Sequence, residues 1–174
     1  MGKNDVSVSK IVELLDLKVF TNEINLKKRK ITKADINRPA LQLTGFFKSF
    51  SNRRVQIIGN VEYYYIECLD PEIRKKRFEE FLSYDIPCVI FCRDYKPFPE
   101  FLEIAEQNGI PILGTSRSTS EFTAELIYVL GEQLAPSITI HGVLVDIYGE
   151  GVLITYNSGS LISPDMIREF LFPY

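Results

Sequence analysis

Histidine is the side chain most often used for proton transfer near neutral pH, and this sequence has a single one, His141. Any Ser-His-Asp or Cys-His arrangement in the chain must therefore use it. It lies within an apolar run, Ile138 to Tyr148, that reads as a strand. On that strand His141 shares a face with Thr139, Val143, Val145 and Ile147, while Asp146 falls on the other. A local His–Asp couple is thus disfavoured. Spacing alone leaves His141 open between a hydrogen-bonded core residue and a functional one.

The second candidate is Gly114-Thr115-Ser116-Arg117-Ser118-Thr119-Ser120. Thr115, Ser116, Arg117 and Ser118 set hydroxyls and a guanidinium at the start of an expected helix, where free N–H groups and the helix dipole favour an anion. The same residues also describe a well-capped helix with no ligand, and both readings stand at this point. Cys88 and Cys92 lie on one expected strand, so their Cα atoms should be about 13 Å apart, too far for a disulfide. No His or acidic partner stands near them at metal-ligand spacing, so they read as reduced core thiols. Lys27-Lys28-Arg29-Lys30 is a short basic run that reads as a solvated loop. No metal cluster is visible.

These residues must be positioned by regular elements, and most are marked. Ser7 fits an N-cap ahead of Val8, Ile11, Val12, Leu14 and Leu15 at helical spacing. After Pro39, residues Leu41, Leu43, Phe46, Phe47 and Phe50 suggest a second helix with an aromatic, core-facing side. Val55–Ile58 reads as a strand, helical stretches fill roughly 60 to 83, and a buried strand follows at 86–92. A helix from Pro99 to Gln107 closes at Asn108-Gly109, and Ile110–Leu113 is a further strand. Ser118-Thr119-Ser120-Glu121 fits a capping box that opens a helix to about Leu134.

Strands alternating with helices at this spacing imply βαβ units and a mostly parallel sheet, so the fold class is α/β. Ala135-Pro136 marks a break, with domains expected at 1–134 and 135–174. Beyond it the rhythm becomes a hairpin, Ile138–Tyr148 and Gly151–Thr155, turning at Gly149-Glu150-Gly151. An isolated hairpin is marginal in water, so this one should pack on the first domain or self-associate. Ser163-Pro164-Asp165 looks like a final short helix start.

Composition narrows the partners. The chain of 174 residues is 45% hydrophobic and 25% charged, with a net charge of −3 and no basic stripe. Nucleic acid and anionic membrane are therefore poor partners. No apolar run approaches the roughly 20 residues of a membrane span, and Met1–Val6 carries neither a signal core nor, with Val6 at the sixth position, a myristoylation pattern. Three cysteines are too few for a secreted disulfide scaffold, and the location expected is cytoplasmic.

Several segments resemble the HPr kinase/phosphorylase family of bacterial regulatory enzymes. They include Asp35-Ile36-Asn37-Arg38-Pro39-Ala40-Leu41-Gln42-Leu43-Thr44-Gly45-Phe46-Phe47, Val55-Gln56-Ile57-Ile58-Gly59 and Ser83-Tyr84-Asp85-Ile86-Pro87-Cys88. Gly109–Leu113, Leu134-Ala135-Pro136 and His141-Gly142-Val143-Leu144-Val145-Asp146-Ile147-Tyr148-Gly149 follow in the same order. The resemblance implies an N-terminal α/β domain before a C-terminal kinase domain built around a Walker A phosphate loop. It implies ATP or pyrophosphate with magnesium as cofactors, a serine of the phosphocarrier HPr as substrate, and phosphorolytic removal of the same phosphate. It further implies control of carbon catabolite repression, assembly into hexamers, and a place in the active site for His141.

One departure from the family is sharp. Gly-Val-Leu-Ile-Thr is followed there by a loop such as Gly-Asp-Ser-Gly-Ile-Gly-Lys-Ser. Here Tyr156-Asn157-Ser158-Gly159-Ser160-Leu161-Ile162-Ser163 stands in its place. Ser158, Gly159 and Ser163 remain as remnants of the nucleotide site, and Ser163 as a remnant magnesium ligand. Tyr156 and Leu161 replace glycines whose backbone must curl round phosphate, and Ile162 replaces the lysine that contacts it. The family's catalytic aspartate would lie past Tyr174.

The resulting expectation is an HPr kinase/phosphorylase lineage protein, with a hairpin that begins a truncated P-loop kinase domain, inactive as a free chain and binding neither ATP nor magnesium. The alternative is a non-catalytic regulatory or oligomerisation module that binds a phosphorylated metabolite or an intact homologue. A decayed end over residues 156–174 is compatible with either.

Overall fold

The computed structural model describes residues 5–135, 142–147 and 150–155. The chain divides into two compact units at the Ala135–Pro136 junction. In the first, β1 (Val6–Ser7) leads into α1 (Val8–Leu15), then β2 (Lys18–Val19), α2 (Ile24–Lys28) and β3 (Lys30–Ile31). Next come β4 (Ile36–Asn37), α3 (Ala40–Leu43), β5 (Val55–Ile58), α4 (Asn60–Glu67) and α5 (Pro71–Leu82). The unit closes with β6 (Val89–Phe91), α6 (Pro99–Gln107), β7 (Ile112–Gly114) and α7 (Thr119–Leu134).

A five-stranded sheet in the order β2-β7-β6-β5-β4 is the frame. The pairs β4–β5, β5–β6 and β6–β7 are parallel, and β2 joins the edge antiparallel to β7. Strands β5, β6 and β7 are buried along their whole length, as a parallel sheet covered on both faces requires. The pleat then sorts their side chains by parity. Val55, Ile57, Cys88, Ile90, Cys92 and Leu113 pack with Ile11 and Leu15 of α1 and Phe122, Leu126 and Leu130 of α7. Ile58, Val89, Phe91 and Ile112 pack the other way, against Phe78 and Phe81 of α5 and Phe101 and Ile104 of α6. The unit is a three-layer α/β/α sandwich, and each fully buried side chain of this size contributes about 1.5–3 kcal/mol.

Local signals account for the helix ends. Ser7 caps α1 by accepting from the Lys10 N–H, proline opens α5 and α6, and Gly109 at φ +61° follows α6. Burial pushes the Cys88 thiol up to about 12 and the Cys92 thiol to about 11; both are free and inside the core.

Three expectations in this unit need correction. The helix read across Leu41–Phe50 is only the four residues of α3, because Gly45 takes φ +96° and Ser49 φ +64°, conformations no helix continues through. Phe47 and Phe50 still reach the core from irregular backbone, with ring centroids 5.1 Å from Tyr84 and 5.7 Å from Phe81 respectively, while Phe46 is exposed. The strand expected over 86–92 has ladder pairing only at Val89–Phe91, and that at 110–113 is shifted to Ile112–Gly114.

In the second unit β8 (Gly142–Ile147) and β9 (Glu150–Thr155) pair antiparallel from Gly142↔Thr155 to Ile147↔Glu150. β9 begins one residue earlier than expected, at Glu150, where it pairs with Ile147. Residues 138–141 of the expected strand and the helix start at Ser163 lie outside the described residues.

Candidate functional site

In an open parallel sheet the ligand crevice lies at the carboxyl ends of the strands. Here that edge collects Arg38 after β4, Gly59 after β5, Cys92-Arg93-Asp94 after β6 and Thr115 to Ser118 after β7. The centre of the edge is an ion pair. Arg38 Nη2 donates to Glu62 Oε2 at 2.9 Å, and the Gly59 N–H donates to the same oxygen at 3.0 Å. Glu62 is only 2% exposed, so its charge is held by this pair of donors and by the positive end of α4, where it sits in the first turn. Gly59 is required by contact: a Cβ there would lie 2.5 Å from Thr119 Oγ1. The first turns of α4 and α7 therefore meet directly over the sheet edge.

Each residue expected at the anion site has a partner inside the chain or is exposed. The Thr115 N–H donates to the Phe91 carbonyl at 2.9 Å, and Thr115 Oγ1 accepts from the Arg117 N–H at 3.3 Å. Arg117 Nη1 donates to the Leu15 carbonyl at 2.8 Å, and its Nε lies 3.2 Å from Glu125 Oε2. Ser118 and Glu121 form the expected capping box: Ser118 Oγ donates to Glu121 Oε2 at 2.6 Å and accepts from the Glu121 N–H at 3.3 Å. The Ser118 hydroxyl, then the Ser118 N–H, hold the Glu121 carboxyl below its ordinary range. The anion seat at the start of α7 is thus filled by the helix's own carboxylate, and Ser116 is exposed beside it.

Two features of this edge were missed from the sequence. Arg38 was not singled out, since its partner Glu62 is 24 residues away. Arg93 and Asp94 both take left-handed backbone, at φ 60° and 57°, which lets their N–H groups donate to the Arg117 and Thr115 carbonyls at 3.0 Å. The Arg93 side chain is exposed and has no hydrogen-bond or ion-pair partner among the described residues. Nearby, burial raises the Cys92 thiol despite a hydrogen bond with Thr119 and the charges of Arg38 and Arg93, so it is no thiolate. Among the described residues no His, Cys, Asp and Glu group has the arrangement to hold a metal ion. His141, Ser158, Gly159 and Ser163 all lie outside the described residues.

Comparison with known proteins places this architecture. The family described as "HPr Serine kinase N terminus" matches residues 6–130. A protein named HPr kinase/phosphorylase from Lachnoclostridium phytofermentans is 47% identical over 154 residues, covering 88% of this chain and 50% of its own length. One of the same name from Caldicellulosiruptor bescii is 44% identical over 153 residues, with 88% and 49% covered. A crystal structure of the CBS and DRTGG domains of the regulatory region of Clostridium perfringens pyrophosphatase aligns over 70% of this chain and 45% of that one, with a TM-score of 0.48 and 19% identity. No helix among the described residues is long and apolar enough to cross a membrane. The chain spans about half the length of the curated relatives it matches. On the family match and these identities, the chain belongs to the HPr kinase/phosphorylase family.

Proposed function

We propose that residues 1–174 supply the amino-terminal, non-catalytic half of HPr kinase/phosphorylase function, acting in a system that transfers phosphate from ATP with magnesium to a serine of HPr. The observation that supports this is the break in likeness after Thr155. A family match carries the first unit, and then Tyr156, Leu161 and Ile162 stand where the phosphate loop needs glycine, glycine and lysine. Without the lysine nothing in that segment offers a point charge to the β and γ phosphates. Ser158, Gly159 and Ser163 would be remnants of the loop, and His141 a family active-site residue with no nucleotide beside it. On this reading residues 1–134 form the family's N-terminal domain and 135–174 the first strands of its kinase domain. A cytoplasmic setting and a homo-oligomer, or association with an intact homologue, belong to the same reading.

The test is direct. Purified chain is incubated with HPr, labelled ATP and magnesium, alone and then mixed with an intact HPr kinase/phosphorylase. No incorporation by the chain alone is expected, together with co-elution with the intact enzyme on gel filtration. Labelled HPr from the chain alone would overturn the assignment of a non-catalytic role.

A further inference from the structure

Opposite the strand ends already described, the structure holds a cavity of about 410 Å³, within the range typical of small-molecule sites. It is lined by Lys28, Arg29, Lys30, Thr32, Arg53 and Asp85. These residues come from the end of α2, from β3 and the residue beyond it, and from the segments that enter β5 and β6. The cavity therefore sits at the amino ends of the central strands, and residues from three stretches of chain converge on it.

Charge separates this cavity from an ordinary surface dip, because four cationic side chains face one carboxylate. Arg29 is fixed as part of the wall: its Nε donates to the Gly109 carbonyl and its Nη2 to that of Asn108, both at 3.0 Å, and its Nη1 meets Asp85 Oδ1. Asp85 is thereby already engaged. Lys30 pairs with Asp5 at 2.8 Å. Lys28 and Arg53 have no hydrogen-bond or ion-pair partner among the described residues, and neither does the Thr32 hydroxyl. Two unneutralised cations and a free hydroxyl thus share one concave site beside an immobilised guanidinium. In a protein of net charge −3 such a local excess of positive charge is not a general property of its surface.

We infer that this cavity is a binding site for a small multivalent phosphate compound, with Lys28 and Arg53 as its charge-bearing ligands and Thr32 as a hydroxyl donor. Phosphate oxygens accept several charge-assisted bonds at once, and a guanidinium fork beside an ammonium suits such a ligand. The site is built from residues of the first unit alone, none of them from the sequence 156–163, and it does not depend on the proposed division of catalytic roles. No covalent step is involved.

The test uses the full chain and inorganic pyrophosphate as probe, followed by calorimetry and by backbone amide shifts. Expected are saturable binding, shifts centred on Lys28–Thr32, Arg53 and Asp85, and affinity reduced about tenfold or more in the Lys28→Gln/Arg53→Gln variant. The Ser158→Ala/Ser163→Ala variant should bind as the parent does, which separates this cavity from the loop remnant. Lys75→Gln, on the exposed side of α5, controls for loss of one positive charge. Tricarballylate, a carboxylate of similar charge, should bind more weakly than pyrophosphate. No saturable binding, affinity unchanged in the Lys28→Gln/Arg53→Gln variant, or shifts centred on residues 156–163 would each overturn the inference. The shift map on the parent protein gives its answer whether or not the variants fold.

Discussion

The two ends of the central sheet carry charge in opposite ways. At the carboxyl ends, Arg38 is paired with the buried Glu62, Arg117 with Glu125 and the Leu15 carbonyl, and the start of α7 with Glu121. At the amino ends, Lys28 and Arg53 face a cavity with no partner among the described residues. The first end is the one where topology leads one to expect a ligand, yet most of its charges serve as struts between α4, α7 and the sheet. The second end has no topological claim on a ligand, yet Lys28 and Arg53 both stand unpaired in one concave site there, against the exposed Arg93 at the first. Location in a fold sets an expectation; which charges are already neutralised decides what remains to bind.

The comparison breaks most visibly at Glu62. Glu62→Ala strips Arg38 and the Gly59 N–H of their acceptor at a buried point, so chemical denaturation should show a loss of about 2–3 kcal/mol. If stability is unchanged, the carboxyl end is no strut and its arginines are free for ligand.

A smaller effect is expected at α7. Ser118→Ala removes the cap and should cost about 1 kcal/mol. Because Glu121 has a lowered folded pKa, its contribution is present above the ordinary carboxylate range and is lost as pH falls through the folded value. The melting-temperature gap between the parent and Glu121→Gln should therefore narrow on acidification, and a gap that widens would contradict the capping geometry.

The smallest effect sharpens the contrast. Without added anion, Lys28→Gln/Arg53→Gln should change stability by no more than about 0.5 kcal/mol in either direction, since no contact is lost. Thermal melts in low salt would show it, and a large destabilisation would mean that both residues are structural after all.

What the sequence disclosed follows the range of each interaction. Capping residues act within one turn, so Ser7, Pro99 and Ser118 locate three helix starts, whereas Pro71 opens α5 inside a stretch that reads only as helical over roughly 60 to 83. β-branched residues around Gln56 mark β5 and a continuous apolar run marks β6, although ladder pairing covers less of the second run than its apolar character does. Strands β1 to β4 have two residues each, too few for any alternation to register, and exist because a neighbour offers a ladder. The Leu41–Phe50 segment has helical spacing, but the left-handed Gly45 and Ser49 interrupt it, and Arg77 packs its guanidinium where a Gly45 side chain would be. The basic run at 27–30 is solvated as its composition suggests, with Lys27, Lys28 and Lys30 exposed, but it ends α2 and enters β3 instead of forming a loop, and Arg53 and Asp85 come beside it only through the fold. The same holds for Arg38 and Glu62. Long-range pairs leave no local pattern to read.

The parity that places Cys88 and Cys92 in the core also sorts the chain's sulfur chemistry. Both thiols are shut away from reagents and held protonated by burial, whereas Cys68 follows the last turn of α4 in the open. A maleimide dye offered to the folded protein therefore has one thiol to find, and the natural sequence already carries a single attachment point for a spectroscopic reporter.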